Sequence, residues 1–141
     1  MREYNKFINS ISLDAIQPME LLFSRRGDFL DDGSLVNIQF KLAYPEEALV
    51  ENESKIIFRP LFEINLFQNE SIFYSQKVAF AVVIKIKDRP SFDNTWANEE
   101  IKKQFKEFQI KKTLWPILRQ QVLDGMSRVG LPSISLPWII N

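Results

Sequence analysis

The sequence contains no cysteine and no histidine among its 141 residues. Without cysteine, the chain cannot form a disulfide, a thiolate nucleophile or a cysteine-based zinc site. Without histidine, a Ser-His-Asp triad, imidazole acid–base catalysis and histidine-ligated metals are excluded as well. The side chains that remain for catalysis are carboxylates, lysine and tyrosine.

The chain also lacks net charge and long apolar runs. Its 18 basic and 18 acidic residues cancel, so no overall field favours nucleic acid or an anionic membrane. No segment approaches the ~20 apolar residues of a spanning helix, and residues 1–10 contain no signal-peptide core. We therefore expect one cytoplasmic domain over residues 1–141, with no nucleic-acid partner and no membrane insertion.

Adjacent carboxylates are the remaining candidates for catalysis. They occur at Asp31-Asp32, Glu46-Glu47 and Glu99-Glu100, all in predicted loops or at a predicted helix start. Solvated surface charge is the simpler interpretation of such pairs. The four glycines form no phosphate-binding loop. We predict a protein that is not an enzyme and that has no catalytic residue, metal or cofactor.

Alternation of apolar and polar residues predicts four antiparallel strands, at residues 4–14, 36–44, 56–67 and 72–86. Residues 68–71 are short enough to join the last two strands as a hairpin. Pro60 suggests an edge or a bulge within the third strand. After Pro90 the apolar period becomes helical, with Asn98 and Thr113 as predicted helix caps.

The predicted long helix ends at Gly130 and contains Gly125, where we expect close approach by another backbone. Strands followed by helices predict an α+β fold, with a four-stranded antiparallel sheet and C-terminal helices packed on one face. Residues 15–34 are predicted to form a long loop after the first strand. This segment is unusually apolar, and loops of such length are often functional.

The C-terminal stretch "LWPILRQQVLDGMSRVGLPSISLPWI" resembles the signature of the SecB export-chaperone family. The matching positions are Leu114, Trp115, Pro116, Arg119, Ser127, Arg128, Gly130, Leu131, Pro132, Ile134, Leu136, Pro137 and Ile139. The order of elements is also similar, with a strand, a crossover loop, three strands and a helix. The resemblance implies an ATP-independent cytoplasmic holdase that assembles as a homotetramer, a dimer of dimers. It would hold unfolded or precursor polypeptides in apolar grooves, in some members for Sec-dependent export.

The resemblance also suggests roles for particular side chains. The expected client-binding residues are Met19, Leu22, Phe23, Phe29, Leu30, Trp138 and Ile139. The loop residues among them would otherwise simply tuck the loop against the sheet, and the last two would be a docked tail. The expected oligomer-interface residues are Trp115, Leu118, Val122 and Met126, a stripe that periodicity alone assigns to the core.

Several positions depart from the export-dedicated pattern. Asp14 could supply a SecA contact, but Ser10 and Gln76 stand where further acids are expected. The chain ends at Asn141, where relatives continue into a second helix and an acidic tail. An alternative is therefore a dedicated partner for one protein, such as an antitoxin of a toxin–antitoxin system.

The segment "NEEIKKQFKEFQIKK" replaces the short glycine-rich link of the family. Its lysines flank Phe105 and Phe108, a pattern that also occurs on nucleic-acid-binding faces. Interleaved glutamates favour a solvated amphipathic helix instead.

Overall fold

The computed structural model describes residues 2–45, 54–132 and 134, and the backbone of residues 49–52. The strands are β1 (Ile11–Arg25), β2 (Asn37–Ala43), β3 (Leu49–Asn52), β4 (Lys55–Phe58), β5 (Leu61–Gln68) and β6 (Ser71–Ile86). The helices are α1 (Arg2–Asn9), α2 (Arg89–Trp96), α3 (Glu99–Gln104) and α4 (Lys111–Arg128), and a π-helical turn (Phe105–Ile110) joins α3 to α4.

The sheet is built around β6, the longest strand. β1 pairs antiparallel with β6 from Ile86 back to Tyr74. Both β4 and β5 also pair with β6 within this span. Since a strand has only two edges, β4 and β5 share the edge opposite β1. β2 and β3 pair outside β5 and β4, so the six segments form four antiparallel rows, as the α+β prediction requires.

The predicted hairpin of the third and fourth strands is confirmed, whereas Pro60, predicted at an edge or a bulge, lies at a break within an inner row of the sheet. Pro60 separates β4 from β5, and its carbonyl accepts from Phe80 N at 3.0 Å. The β5–β6 turn has Asn69 and Glu70 at φ angles of 51° and 67°. Two consecutive left-handed residues define the type I′ turn that matches the twist of a hairpin.

Two predicted boundaries in the first 34 residues are wrong. Residues 4–9, predicted as strand, belong to α1, because Tyr4, Phe7 and Ile8 recur at helical spacing and Phe7 is fully buried. Residues 15–25, predicted as loop, form most of β1. The edge of β6 carries backbone groups that need partners along its whole length, and β1 supplies them as far as Arg25. The crossover loop is therefore confined to residues 26–36.

One face of the sheet is covered by helices and the other is open. Tyr74, Gln76, Val78, Phe80, Val82, Ile84 and Ile86 of β6 are buried beneath the helices. Alternate residues such as Lys77 and Lys85 point to the other face and are exposed. We call these the helix face and the outer face. The C-terminal helices thus pack on one face, as predicted.

The helical region differs in detail from the prediction. Asn98 caps α3, accepting from Glu100 N at 2.9 Å, and Gly130 follows α4 at φ 75°. Thr113 is not a cap, since the chain stays helical through the π turn and Thr113 Oγ1 donates to Gln109 O. The helix α2 was missed, although Asp88 with Pro90 in the first turn is a start signal.

Candidate polypeptide-binding surface

β1 is the edge strand of the sheet. Within the described chain its only strand partner is β6, so its other side presents backbone N–H and C=O groups without a ladder. Register shifts at Asp14 and Met19 divide it into three regular stretches. A long strand edge is a template for another extended chain. The chemistry of this surface begins with backbone pairing.

The side chains of β1 make the same edge apolar. Its exposed large apolar residues are Leu13, Met19, Leu21, Leu22 and Phe23, and Met19 is the most open at 61%. Soluble proteins usually protect such edges with charge, proline or a covering segment. Here Asp14, Pro18 and Glu20 interrupt the apolar residues without covering them. Contiguous exposed apolar surface of this kind marks a binding site.

The sequence-predicted client residues of β1 lie on both faces of the sheet. Leu22 is paired with Lys77 and so belongs to the outer face. Phe23 is paired with Gln76 and belongs to the helix face. Met19 occupies a bulge between the two regular stretches. The structure therefore brings these residues to one edge, but not into one groove.

The crossover loop, residues 26–36, is held against the β5–β6 hairpin. The Phe29 ring packs on Phe73 at a centroid distance of 5.8 Å. Phe73 lies at the register shift of the β5–β6 ladder, where both it and Tyr74 are buried, so the loop packs on the end of the hairpin. Leu30 keeps 43% of its surface exposed, and Leu35 keeps 82%. The Phe29 ring therefore holds the loop in place, whereas the Leu30 side chain remains accessible.

A polar turn shapes the loop beyond Leu30. Ser34 N donates to Asp32 Oδ1 at 2.9 Å, and Ser34 Oγ donates to the same oxygen. These hydrogen bonds stabilise the carboxylate and lower the pKa of Asp32 below its ordinary value. Asp32 therefore stabilises this turn.

The predicted oligomer-interface residues lie in the core of this chain. Trp115, Leu118, Val122 and Met126 are each at most 3% exposed, and Trp115 meets Phe40 edge-on at 5.1 Å. Packing against the sheet accounts for all four side chains. A contact between subunits through this helix stays a prediction. Trp138 and Ile139, the predicted C-terminal client residues, lie outside the described residues.

The predicted SecA contact, Asp14, is engaged within the chain. Its Oδ2 lies 3.0 Å from Lys55 Nζ, and both side chains are partly exposed. Ser10 and Gln76, where acids are expected in export members, are buried. Ser10 Oγ donates to Phe7 O at 2.6 Å, and Gln76 bonds to Tyr74 and Gln121. Neither position can present a docking group at the surface.

The described residues offer little for other chemistry. In the part of the chain that the structure describes, no three carboxylates converge as metal ligands. None of the described helices is long and apolar enough to cross a membrane. Burial raises the pKa of Tyr74 and of Tyr44, the latter with a smaller contribution from Glu107. Both phenols are therefore neutral structural groups.

The sequence reasoning missed Leu13, Leu21 and Leu35 as members of this surface. Leu13 and Leu21 pair with Ile84 and Val78, so they lie on the helix face, where they remain 51% and 42% exposed. The signal was available in residues 19–23, where apolar residues occur without alternation. Such a run belongs to a strand with two apolar faces, and the described residues leave exposed side chains on both of them.

The chain superposes with a TM-score of 0.69 on the Mycobacterium tuberculosis SecB-like chaperone Rv1957, solved with a ChAD peptide from the Rv1956 HigA1 antitoxin. The identity is 16%, and the match covers 98% of this chain and 97% of that one. The predicted fold class is thus confirmed, and the likeness at this identity is one of fold.

A second solved chain, a Streptococcus agalactiae protein of unknown function, matches with a TM-score of 0.49 and 9% identity over 91% of this chain and 97% of that one. No protein-family model and no curated protein matches the sequence.

Proposed function

We propose that this chain is an ATP-independent chaperone, a holdase that keeps unfolded or precursor polypeptides soluble in the cytoplasm. The observation that carries the proposal is the apolar edge strand β1, with Met19 and Leu22 exposed, together with the exposed Leu30 of the crossover loop. Unfolded chains expose apolar side chains, and the exposed apolar side chains of this surface can bury them. The SecB-like fold of the neighbour supports the same conclusion.

Holding a polypeptide needs apolar area rather than a reaction. Burial contributes about 25 cal/mol per Å² of apolar surface, so several exposed side chains in a row supply affinity without a cofactor or a nucleotide. Methionine and leucine side chains adapt to different partners, which suits a binder of many sequences. Met19 at a bulge is the most adaptable member of the set.

Suppression of aggregation tests the proposal. A chemically denatured model protein is diluted into buffer with the purified chain, without nucleotide, and turbidity is followed. We expect suppression near a stoichiometric ratio. Serum albumin at the same mass concentration controls for crowding. Undiminished turbidity at a several-fold molar excess of the chain contradicts the holdase.

Assembly as a homotetramer, a dimer of dimers, belongs to the same proposal. Two copies of β1 can pair antiparallel about a two-fold axis, which joins their sheets and satisfies both edges. Client binding would then use the side chains of the outer face, and α4 could contribute the contact between dimers. Static light scattering measures the mass directly. A monomer at micromolar concentration contradicts this part of the proposal.

A dedicated partner is the second candidate. It is favoured by the burial of Ser10 and Gln76, which leaves no docking acid at the positions expected in export members, and by the antitoxin peptide bound to the neighbour. Co-purification from the native host separates the two ideas. A single stoichiometric partner favours the second candidate, and a mixture of chains favours the holdase.

Delivery of clients to SecA is the most specific part of the proposal, and it rests on Asp14. Binding to purified SecA, measured by calorimetry, tests it, with Asp14→Asn as the variant. We expect weaker binding by Asp14→Asn if this acid docks, and no heat of binding at all excludes the export role.

A further inference from the structure

Arg25, the last residue of β1, makes side-chain contacts with two other parts of the chain. Its Nε donates to Gly27 O at 3.2 Å, and its Nη2 lies 3.0 Å from Asp28 Oδ1. Its Nη1 donates to Val129 O at 2.9 Å, across 104 residues of sequence. The guanidinium therefore contacts the crossover loop and the end of α4 at the same time. We call this set of contacts the Arg25 junction, and the holdase proposal gives it no role.

The backbone of Arg25 is held in the sheet. Arg25 is paired with Tyr74 in the β1–β6 ladder, and Arg26 N donates to Phe73 O at 2.9 Å. Directly opposite residues of an antiparallel pair share a face, so the Arg25 side chain belongs to the helix face with Tyr74. The guanidinium thus reaches the helix end from a paired strand rather than from the loop itself.

The end of α4 offers an acceptor that suits this arginine. The last carbonyl groups of an α-helix have no partner within it and carry partial negative charge. Gly130, at φ 75°, turns the chain after α4, and Leu131 N donates back to Met126 O at 3.0 Å. Val129 O accepts from Arg25. A cation at this point stabilises the helix end and fixes its position relative to β1.

The shape of arginine suits the junction better than its charge alone. The planar guanidinium presents its donors in a fixed fork, whereas a lysine ammonium is a compact charge on a flexible stem. The ion pair with Asp28 is exposed and contributes little energy by itself. The junction therefore matters through its geometry, because one rigid group sets the start of the crossover loop at a fixed distance from the end of α4.

The crossover loop carries exposed apolar side chains of the candidate surface, Leu30 and Leu35. A loop that becomes ordered only when a client binds takes the cost of that ordering from the binding free energy. The junction orders the first residues of the loop beforehand, through Gly27 and Asp28, and leaves both leucines exposed. Holding the loop in this way favours client binding without a contact to the client.

We propose that Arg25 is a positioning residue for client binding, which joins the crossover loop to the end of α4 and so holds Leu30 in place for a polypeptide. The inference rests on the proposed holdase function and adds to it a residue that touches no client. Arg25 acts on two segments at once, so its loss should loosen both of them.

Hydrogen exchange by mass spectrometry on the full chain tests the junction. In Arg25→Gln we expect exchange at least about threefold faster over residues 26–36 and also over residues 126–131. Asp28→Ala removes a loop partner alone and should act mainly on residues 26–36. Arg26→Gln is the matched control, because Arg26 has the same charge, is exposed and makes none of the junction contacts. Unchanged exchange over residues 126–131 in Arg25→Gln overturns the junction.

The aggregation assay tests whether the junction positions Leu30. Arg25→Gln should raise the chain concentration needed for half-suppression at least about threefold, and Arg25→Lys should not restore it, because lysine lacks the fork. Leu30→Ser should cost less in Arg25→Gln than in the unaltered chain, since both changes act through the same side chain. Full restoration by Arg25→Lys, or equal costs of Leu30→Ser in the two chains, overturns the positioning role.

The two measurements separate this inference from the proposed function. If the unaltered chain suppresses aggregation and Arg25→Gln does so equally well, only the inference is overturned. If the unaltered chain suppresses nothing, the holdase is overturned and the positioning role with it. The exchange experiment then still decides whether Arg25 joins the crossover loop to α4.

Discussion

Gln68 of β5 makes two hydrogen bonds with the backbone of Leu30 in the crossover loop. Its Oε1 accepts from Leu30 N at 2.7 Å, and its Nε2 donates to Leu30 O at 2.9 Å. The Gln68 side chain is 3% exposed, so water does not compete for these bonds. The Gln68 side chain thus satisfies the backbone N–H and C=O of Leu30, as a neighbouring strand would, and fixes the loop on the β5–β6 hairpin.

Replacement of Gln68 by alanine should release the loop. The backbone groups of Leu30 lose their partners, and the free energy of unfolding should fall by about 1–3 kcal/mol. Hydrogen exchange by mass spectrometry should show faster exchange over residues 26–36. Gln39→Ala, at an exposed position on β2, is the control and should change neither quantity. Unchanged exchange in the loop of Gln68→Ala would contradict this role of Gln68.

A second polar contact joins the sheet to α4. Tyr74 Oη donates to Gln76 Oε1 at 2.5 Å, and Gln76 Nε2 donates to Gln121 O at 3.0 Å. Gly125 leaves the space that these groups occupy, because a Cβ there would overlap the Tyr74 hydroxyl and stand 2.8 Å from Gln76 Oε1. The close approach expected at Gly125 is therefore real, but it is made by side chains rather than by another backbone.

Gly125→Ala should lower the free energy of unfolding by about 1–3 kcal/mol, although alanine is the better helix former. Tyr74→Phe removes the overlapping oxygen, so the double variant should be more stable than the sum of the two single effects predicts. Urea denaturation of all four chains gives the coupling. Ser127→Ala, exposed on the same helix, is the control for helix propensity. Strict additivity would contradict the steric explanation.

The sequence predicts the central strands well because their burial is one-sided. In β5 and β6 apolar residues alternate with polar ones, since helices cover one face and solvent the other. The second half of β1 has no such alternation, because both its faces are apolar and exposed. This segment is a strand because it pairs with β6. Such pairing between distant parts of the chain cannot be predicted from the local sequence pattern.

The candidate site was predictable in composition but not in geometry. Met19, Leu22 and Leu30 were recognised as unusually apolar for a loop, and they are exposed. Their directions depend on the bulges at Asp14 and Met19, each of which changes the parity of the residues that follow. The π turn was missed for a similar reason, since Phe105 and Ile110 are five apart and break the 3.6-residue period on which the interpretation relied.

Buried tyrosines should make the chain sensitive to alkali. Burial, with the charge of Glu107 second, raises the pKa of Tyr44 above its ordinary 10.0, so the folded state retains a proton that the unfolded state releases first. This contribution is intact below the unfolded pKa and is lost as the pH rises above it. The free energy of unfolding should therefore decline as the pH rises above about 10.

Tyr44→Phe should make that decline shallower than in the unaltered chain. Urea denaturation at several pH values gives the slope, and the difference between variants cancels the lysines that titrate in the same range. Tyr4→Phe is the control, because Tyr4 is less buried than Tyr44 and its pKa is raised by less. Equal slopes for Tyr44→Phe and the unaltered chain would contradict the assignment.

Leu22 and Phe23 point to opposite faces of the sheet, so they can show which face holds a client. We expect the outer face to do so, because Leu22 on that face is 54% exposed, whereas Phe23 is 37% exposed. Leu22→Ser should raise the chain concentration needed for half-suppression of aggregation by about tenfold, as the loss of one buried leucine predicts. Phe23→Ser should leave that concentration within about twofold once its fold is verified, since its neighbour is Gln76 on the helix face. Phe108→Ser is the control for surface hydrophobicity, because it removes an exposed apolar side chain of the π-helical turn. A larger loss for Phe23→Ser than for Leu22→Ser would move the client to the helix face, between β1 and α4.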